Sequence, residues 1–222
     1  MTGVQVLVRN LGRIPYTHGI ELQKELAIKY QNANQRRVAG EILFCEHDAV
    51  YTFGLRQKEY ALEAARLERL GAQVFKVGRG GLTTFHGPGQ LVCYPVVNLR
   101  QLKLGVREYV RCLELAVIGA CAVFSIKAET TSCTGVWVGD QKLCSLGIQV
   151  THGVAFHGLG LNCSNDLSWF GHIVPCGIEG KGVTSLSRLL NKTVYPNEVI
   201  PALVESLSRT MKVECVHESQ EL

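Results

Sequence analysis

No stretch of this 222-residue chain is apolar for long enough to span a bilayer, which takes about 20 residues, so the expectation is a protein without a membrane segment. No Cys-x-x-Cys pair occurs among the nine cysteines, and nine is an odd count. A disulfide framework is therefore a poor reading, and a reduced intracellular compartment the better one. Basic residues are scattered, with Arg36-Arg37 the only adjacent pair, which argues against nucleic-acid binding. GxxxxGK[ST], HExxH and GxSxG are all missing, which removes the P-loop, the HExxH zinc site and the serine-hydrolase elbow. Neither repeats nor low-complexity linkers interrupt the chain. No secretory signal stands at the start; the first twenty residues carry Arg9 and Arg13 without an acidic residue, a weakly transit-like feature.

What is present is an ordinary globular composition, 46% hydrophobic and 19% charged with a net charge of +4, enough to bury a sizeable core. Val4, Val6 and Val8 alternate as a strand, and a helix follows Thr17. EILFCEH, QVFKV and LVCYPVVNL read as strands, and ALEAARLERLG as a short amphipathic helix closed by Gly71. VREYVRCLELAVIGACAVF is the longest predicted helix. GVWV and QKLCSLGIQV flank Gly139-Asp140 as a hairpin, with glycine where a type II′ turn needs it. VAFHGLGLNC is a further strand. TSLSRLL and NEVIPALVESLSRTMKV are helical, with Pro201 expected to start or kink the second. The pattern predicts one α+β domain over 1–222, with mixed sheets and packed helices.

Residues 78–90, GRGGLTTFHGPGQ, pack five glycines between two strands. No helix follows, so neither nucleotide fingerprint fits. A tight β-bend is one reading; a loop shaped around an elongated ligand, with Arg79 and His86 as polar contacts, is the other. Cys176 lies between Pro175 and Gly177, in a turn able to present a thiol. A nucleophilic thiol needs help to ionise, and the candidates are Lys142, His86, His152, His157 and His172. By alternation Lys142, Cys144, Leu146 and Ile148 share one strand face, which makes Cys144 a rival nucleophile. A metal set drawn from Cys133, Cys144, His152, His157, Cys163, His172 and Cys176 has no zinc-finger spacing, and no metal is expected.

RGGLTTFHGPGQLVCYPV, GVWVGDQKLCSLGIQV and FHGLGLNCSNDLSWFGHIVPCG together resemble the lipoyl(octanoyl) transferase family across roughly residues 40–190. The wording NCSNDLSWFGHIVPCG is similar to that of animal mitochondrial members. The resemblance implies a fold similar to the biotin and lipoate protein ligases and no cofactor. It implies transfer of octanoate from octanoyl-acyl carrier protein to a lysine on lipoyl domains, such as those of 2-oxoacid dehydrogenase E2 subunits or the glycine cleavage H protein. It also implies a mitochondrial location and a monomer. Cys176 matches the family's acyl-thioester nucleophile and Lys142 its partner lysine, acting as an ammonium that favours the thiolate or as a neutral base. The substrate-contacting segments match Arg79, Gly80, Gly81, Leu82, Thr83, Thr84, Phe85 and His86, then Ser145, Leu146 and Gly147, then Gly158, Leu159 and Gly160. Phe85 stands where bacterial members often carry Tyr, and Cys144 where they carry Ala; both keep the site apolar. The small residues of SLG and GLG are expected to leave room for the acyl chain, and backbone N–H groups near Cys176-Gly177 and in the glycine loop to serve as oxyanion donors. Two alternatives share these features in part: an ATP-dependent lipoate-protein ligase, which needs the lysine but not the thiol, and a non-catalytic module that binds acyl carriers or lipoyl domains.

Overall fold

A computed structural model describes residues 3–31, 37–57, 60–173 and 181–217. In chain order the elements are β1 (Gln5–Arg13), α1 (Tyr16–Gln31), β2 (Val38–Glu46), β3 (Val50–Phe53), α2 (Tyr60–Glu68), β4 (Gln73–Lys76), β5 (Thr83–His86), β6 (Gln90–Asn98) and α3 (Val106–Val123). There follow β7 (Val136–Val138), β8 (Gln141–Thr151), β9 (Val154–Asn162), a short 3-10 helix (Leu167–His172), β10 (Gly182–Val183), α4 (Leu186–Leu190), α5 (Pro196–Met211) and β11 (Glu214–His217).

The large sheet runs β10-β8-β9-β6-β2-β1-β11, with β7 also paired to β8, and a smaller sheet runs β4-β3-β5. Period-two alternation sorts the large sheet's side chains onto two faces. Ile42, Phe44, Leu91 and Cys93 join α3 and α5 in the main core. Leu43, Cys45, Val92 and Tyr94 meet Leu26 and Tyr30 of α1 on the opposite face. Both faces are covered, which is why EILFC and LVCYPVV are continuous apolar runs and not alternating ones.

The hairpin turns follow their residues. Gly139 has φ +56°, as the first position of a type II′ turn requires. His152 and Gly153 are both left-handed between β8 and β9, the pattern of a type I′ turn. Pro201 is not the start of α5: the helix begins at Pro196, at its first turn where a missing N–H costs nothing, and Pro201 lies inside it. The glycine-rich segment also differs from a plain bend. It contains β5, which pairs antiparallel with β3 from Thr83 to His86. The small sheet thereby holds the loop over β8 and β9, on the same face as α1.

Candidate active site

The floor of the site is the paired stretch of β8 and β9. Ser145 lies opposite Gly160, Leu146 opposite Leu159, and Gly147 opposite Gly158. These six residues line a cavity of about 230 Å³ together with Arg79, Gly81, Leu82, Thr83, Thr84 and His86 of the glycine loop. Lys142 lines the same cavity. The structure thus brings three separate sequence blocks to one place.

The glycines do a different job from the one their size suggests. A Cβ on Gly147 would stand 2.9 Å from Cδ of Arg79 and 3.0 Å from the Gly80 carbonyl oxygen. One on Gly160 would stand 2.8 Å from Oε1 of Gln90 and 3.2 Å from Nδ1 of His86. Bare backbone at these positions lets the loop and His86 sit down on the sheet. The space for a ligand lies beside these contacts.

Arg79 organises the loop. Its Nη2 donates to the carbonyl and hydroxyl oxygens of Thr52 at 2.6 and 2.7 Å, and its Nη1 to the carbonyls of Gly80 and Leu82, each at 2.9 Å. Only 7% of the residue is exposed. A planar fork with fixed donors suits this clamp in a way a lysine does not. The Gly80 N–H donates to the Ile148 carbonyl at 3.0 Å, so it is committed to docking the loop and is no oxyanion donor. Gly80 and Phe85 are the two residues of the expected loop contacts that do not line the cavity. Phe85 is buried on the far side of β5, stacked on Trp169 with ring centres 5.2 Å apart and packed against Tyr51 and Phe170.

His86 is held by a polar chain. The Gln90 amide donates to the Phe85 carbonyl and to Oδ1 of Asn162, so its Oε1 faces Nδ1 of His86, at 2.6 Å. That arrangement places the imidazole proton on Nδ1 and leaves Nε2 as an acceptor. Burial, reinforced by His47 nearby, lowers the His86 pKa to about 3, so the ring is neutral. Tyr94 and Tyr16 complete this side of the cavity. Tyr94 donates to Nε2 of His47 at 2.9 Å, since Nδ1 of His47 must carry the proton that reaches the Ile14 carbonyl at 2.9 Å.

Lys142 marks the other end. It is 3% exposed. Its Nζ donates to the Thr134 carbonyl at 3.2 Å and lies 4.7 Å from the centre of the Trp137 ring. Simple alternation mispairs it. Val136 faces Cys144 while the next residue, Trp137, faces Lys142, a bulge that inserts Leu143 into β8. Lys142 therefore shares the cavity with Ser145 and Gly147, whereas Leu143 and Cys144 are both in the main core. Gly135, at φ +128°, leaves the space that Lys142 occupies: a Cβ there would be 3.2 Å from its Cε and 2.7 Å from the Cys144 carbonyl oxygen. Cys144 drops out as a nucleophile, because it is fully buried and desolvation pushes its thiol pKa well up. Cys176 and Gly177 lie outside the described residues. Of the remaining candidate helpers, His157 lines the cavity, whereas His152 sits in the β8–β9 turn and His172 at the end of the 3-10 helix.

Sequence reasoning did not find Tyr16, Tyr94, Asn162, Ser132 or Thr134, and weighed Cys133 only as a metal ligand; all of them line the cavity. Tyr94 reads as one more apolar residue in LVCYPVV, and Tyr16 stands far from every motif. Only the placing of α1 over β6 joins them to the site.

The lipoyl protein ligase A/B catalytic-domain family matches residues 15–208 of the chain. The chain is 49% identical to the mitochondrial octanoyl-acyl-carrier-protein:protein N-octanoyltransferase of Danio rerio, over 94% of this chain and 93% of that one. It is 42% identical to an octanoyltransferase of Bacteroides fragilis, over 84% of this chain and 89% of the other. Among solved structures, a lipoate-protein ligase A bound with ATP superposes with a TM-score of 0.75 over 97% of this chain and 88% of that one; at 16% identity this is a likeness of fold. The α+β fold expected from the sequence is thus found, and the chain belongs to the lipoyl protein ligase A/B catalytic-domain family, among its octanoyltransferases.

Proposed function

We propose that this chain transfers an octanoyl group from acyl carrier protein to a lysine of a lipoyl domain, through a thioester on Cys176 with Lys142 handling the proton. The observation that carries this reading is the placing of Lys142: a buried amine at one end of a narrow trough roofed by the glycine loop. The relatives named as octanoyltransferases support the acyl group, the donor and a mitochondrial location.

In the first step the Cys176 thiolate attacks the carrier thioester carbonyl. The tetrahedral intermediate expels the carrier thiolate, which takes a proton from the Lys142 ammonium and leaves as the thiol, so the octanoyl group is left on Cys176 and Lys142 is left as a neutral amine. One thioester replaces another, so the step is close to balanced. In the second step a neutral acceptor lysine attacks the Cys176 thioester, the Cys176 thiolate leaves, and the proton of the new ammonium passes to Lys142. An amide replaces a thioester, which is downhill and needs no ATP. The acceptors are lipoyl domains such as those of 2-oxoacid dehydrogenase E2 subunits and the glycine cleavage H protein, and one chain suffices as a monomer.

Transfer to an isolated lipoyl domain tests the reading. With octanoyl-acyl carrier protein and no ATP, the wild-type chain should add one octanoyl group per domain. Lys142→Ala should slow transfer by about 10²–10⁴-fold, the range for a positioned acid or base. Transfer that requires ATP and free octanoate would replace this reading with a ligase, and a full rate in Lys142→Ala would remove the lysine from the mechanism.

A further inference from the structure

Six described residues other than glycine have left-handed φ angles. Lys103, Ser125, His152, Asn191 and Lys212 sit in turns or at helix ends, where that conformation is common. His157 alone sits inside a strand, in β9, at φ +59°. Such strain persists only where the surroundings impose it, and it clusters at functional sites.

The strain redirects a side chain. Regular alternation would put the His157 ring with Ala155 and Leu159, in the core under α3 and α5. It lies instead on the α1 face, where it lines two cavities. Its N–H is turned to α1 and donates to Oε1 of Gln23 at 2.7 Å. Gln23 is fully buried, and its own amide donates to the Gly19 carbonyl at 3.0 Å, so α1 holds the distorted step of β9 in place.

The first of the two cavities is the trough already described. The second, of about 550 Å³, lies between α1 and the far ends of β8 and β9, walled by Ile20, Ala27, Ile28, Val77 and Phe156. His157 is paired with Ile148 on β8. Lys142 and Ile148 are separated by about 20 Å of strand at about 3.3 Å per residue. That length takes a lysine amine, a reacting carbonyl and an extended eight-carbon chain in line, and it ends at His157.

We propose that His157 is the partition that ends the acyl trough and sets chain length, and that the α1 cavity behind it takes the tail of a longer acyl group once the ring is gone. The proposal rests on reading the trough as the acyl site. Glycine is the residue this backbone conformation favours. The imidazole is kept there against that preference because of what its ring blocks. Burial, with Arg79 and Lys24 adding to it, holds the ring neutral with a pKa of about 4, so it stands as an uncharged wall.

The test compares octanoyl- and dodecanoyl-acyl carrier protein as donors to a lipoyl domain and reads the ratio of initial rates, which cancels any general loss of activity. His157→Gly should raise the dodecanoyl-to-octanoyl ratio by about tenfold or more, the scale on which apolar pockets discriminate methylenes. Adding Ala27→Trp, which fills the α1 cavity, should return the ratio to the wild-type value. If His157→Gly does not fold, His157→Asn keeps a residue that tolerates the left-handed conformation and removes most of the ring, so the same rise is expected. Octanoyl transfer with an unchanged ratio in these variants would overturn the partition alone. So would a raised ratio that survives Ala27→Trp. A wild-type chain that moves neither acyl group would overturn the underlying acyl-site reading itself.

Discussion

Three neutral histidines, His47, His86 and His157, are packed near the glycine loop, each with its pKa lowered chiefly by burial. The unfolded chain binds protons at these positions once the pH falls below about 6.5, while folded His86 and His157 resist until about 3 and about 4. Their contribution to stability is therefore complete above about pH 6.5 and is lost as the pH falls through that window. Urea midpoints measured between about pH 7 and about pH 5 should decline with acidification. His86→Asn should make the decline shallower by close to one proton; an unchanged slope would mean that His86 is not held neutral. At Gly135 the prediction concerns space. Gly135→Ala places a Cβ against the Cys144 carbonyl and the end of Lys142, at a φ that side chains avoid. It should cost about 1–3 kcal/mol in a thermal melt and reduce octanoyl transfer beyond what the lost folded fraction explains.

The glycine loop and the β8–β9 hairpin are the two elements that make the site, and Arg79 joins them. Arg79→Lys replaces a fork that reaches Thr52, Gly80 and Leu82 with a single ammonium, leaving buried carbonyls unpaired at about 1–3 kcal/mol each. Hydrogen exchange should then quicken at the amides of Gly80, Leu55 and Arg56, which bond to Ile148, Arg79 and Gly81. Unchanged protection there would show that the backbone bonds hold the loop without the guanidinium. These elements differ in how far their residues announce them. The dense glycines signal a close backbone approach, but not that Gly147 and Gly160 meet the loop's own Arg79 and Gly80 and its His86 and Gln90. A lysine in an apolar strand stands out, yet its face depends on a bulge at Leu143 that alternation cannot anticipate. His157 is misplaced by the same rule, because a single left-handed residue reverses its side.

At the scale of the molecule, the strands and longer helices are legible because burial on two faces leaves long apolar runs at strand and helix spacing. The small sheet is less so: β3 and β5 are four-residue strands, and β5 is hidden among glycines. Tyr16 and Tyr94 enter the site only through the packing of α1 on β6. The chemistry is a different matter, since the roles proposed for Cys176 and Lys142 rest on the resemblance of whole sequence blocks, and the structure contributes the buried seat of Lys142. The most direct measurement of the central claim is the intact mass of the full chain after mixing with octanoyl-acyl carrier protein, without ATP and without an acceptor. One octanoyl adduct should form, absent in Cys176→Ser and discharged from the wild-type chain when a lipoyl domain is added. An adduct that persists in Cys176→Ser, or that no lipoyl domain can discharge, would contradict the account.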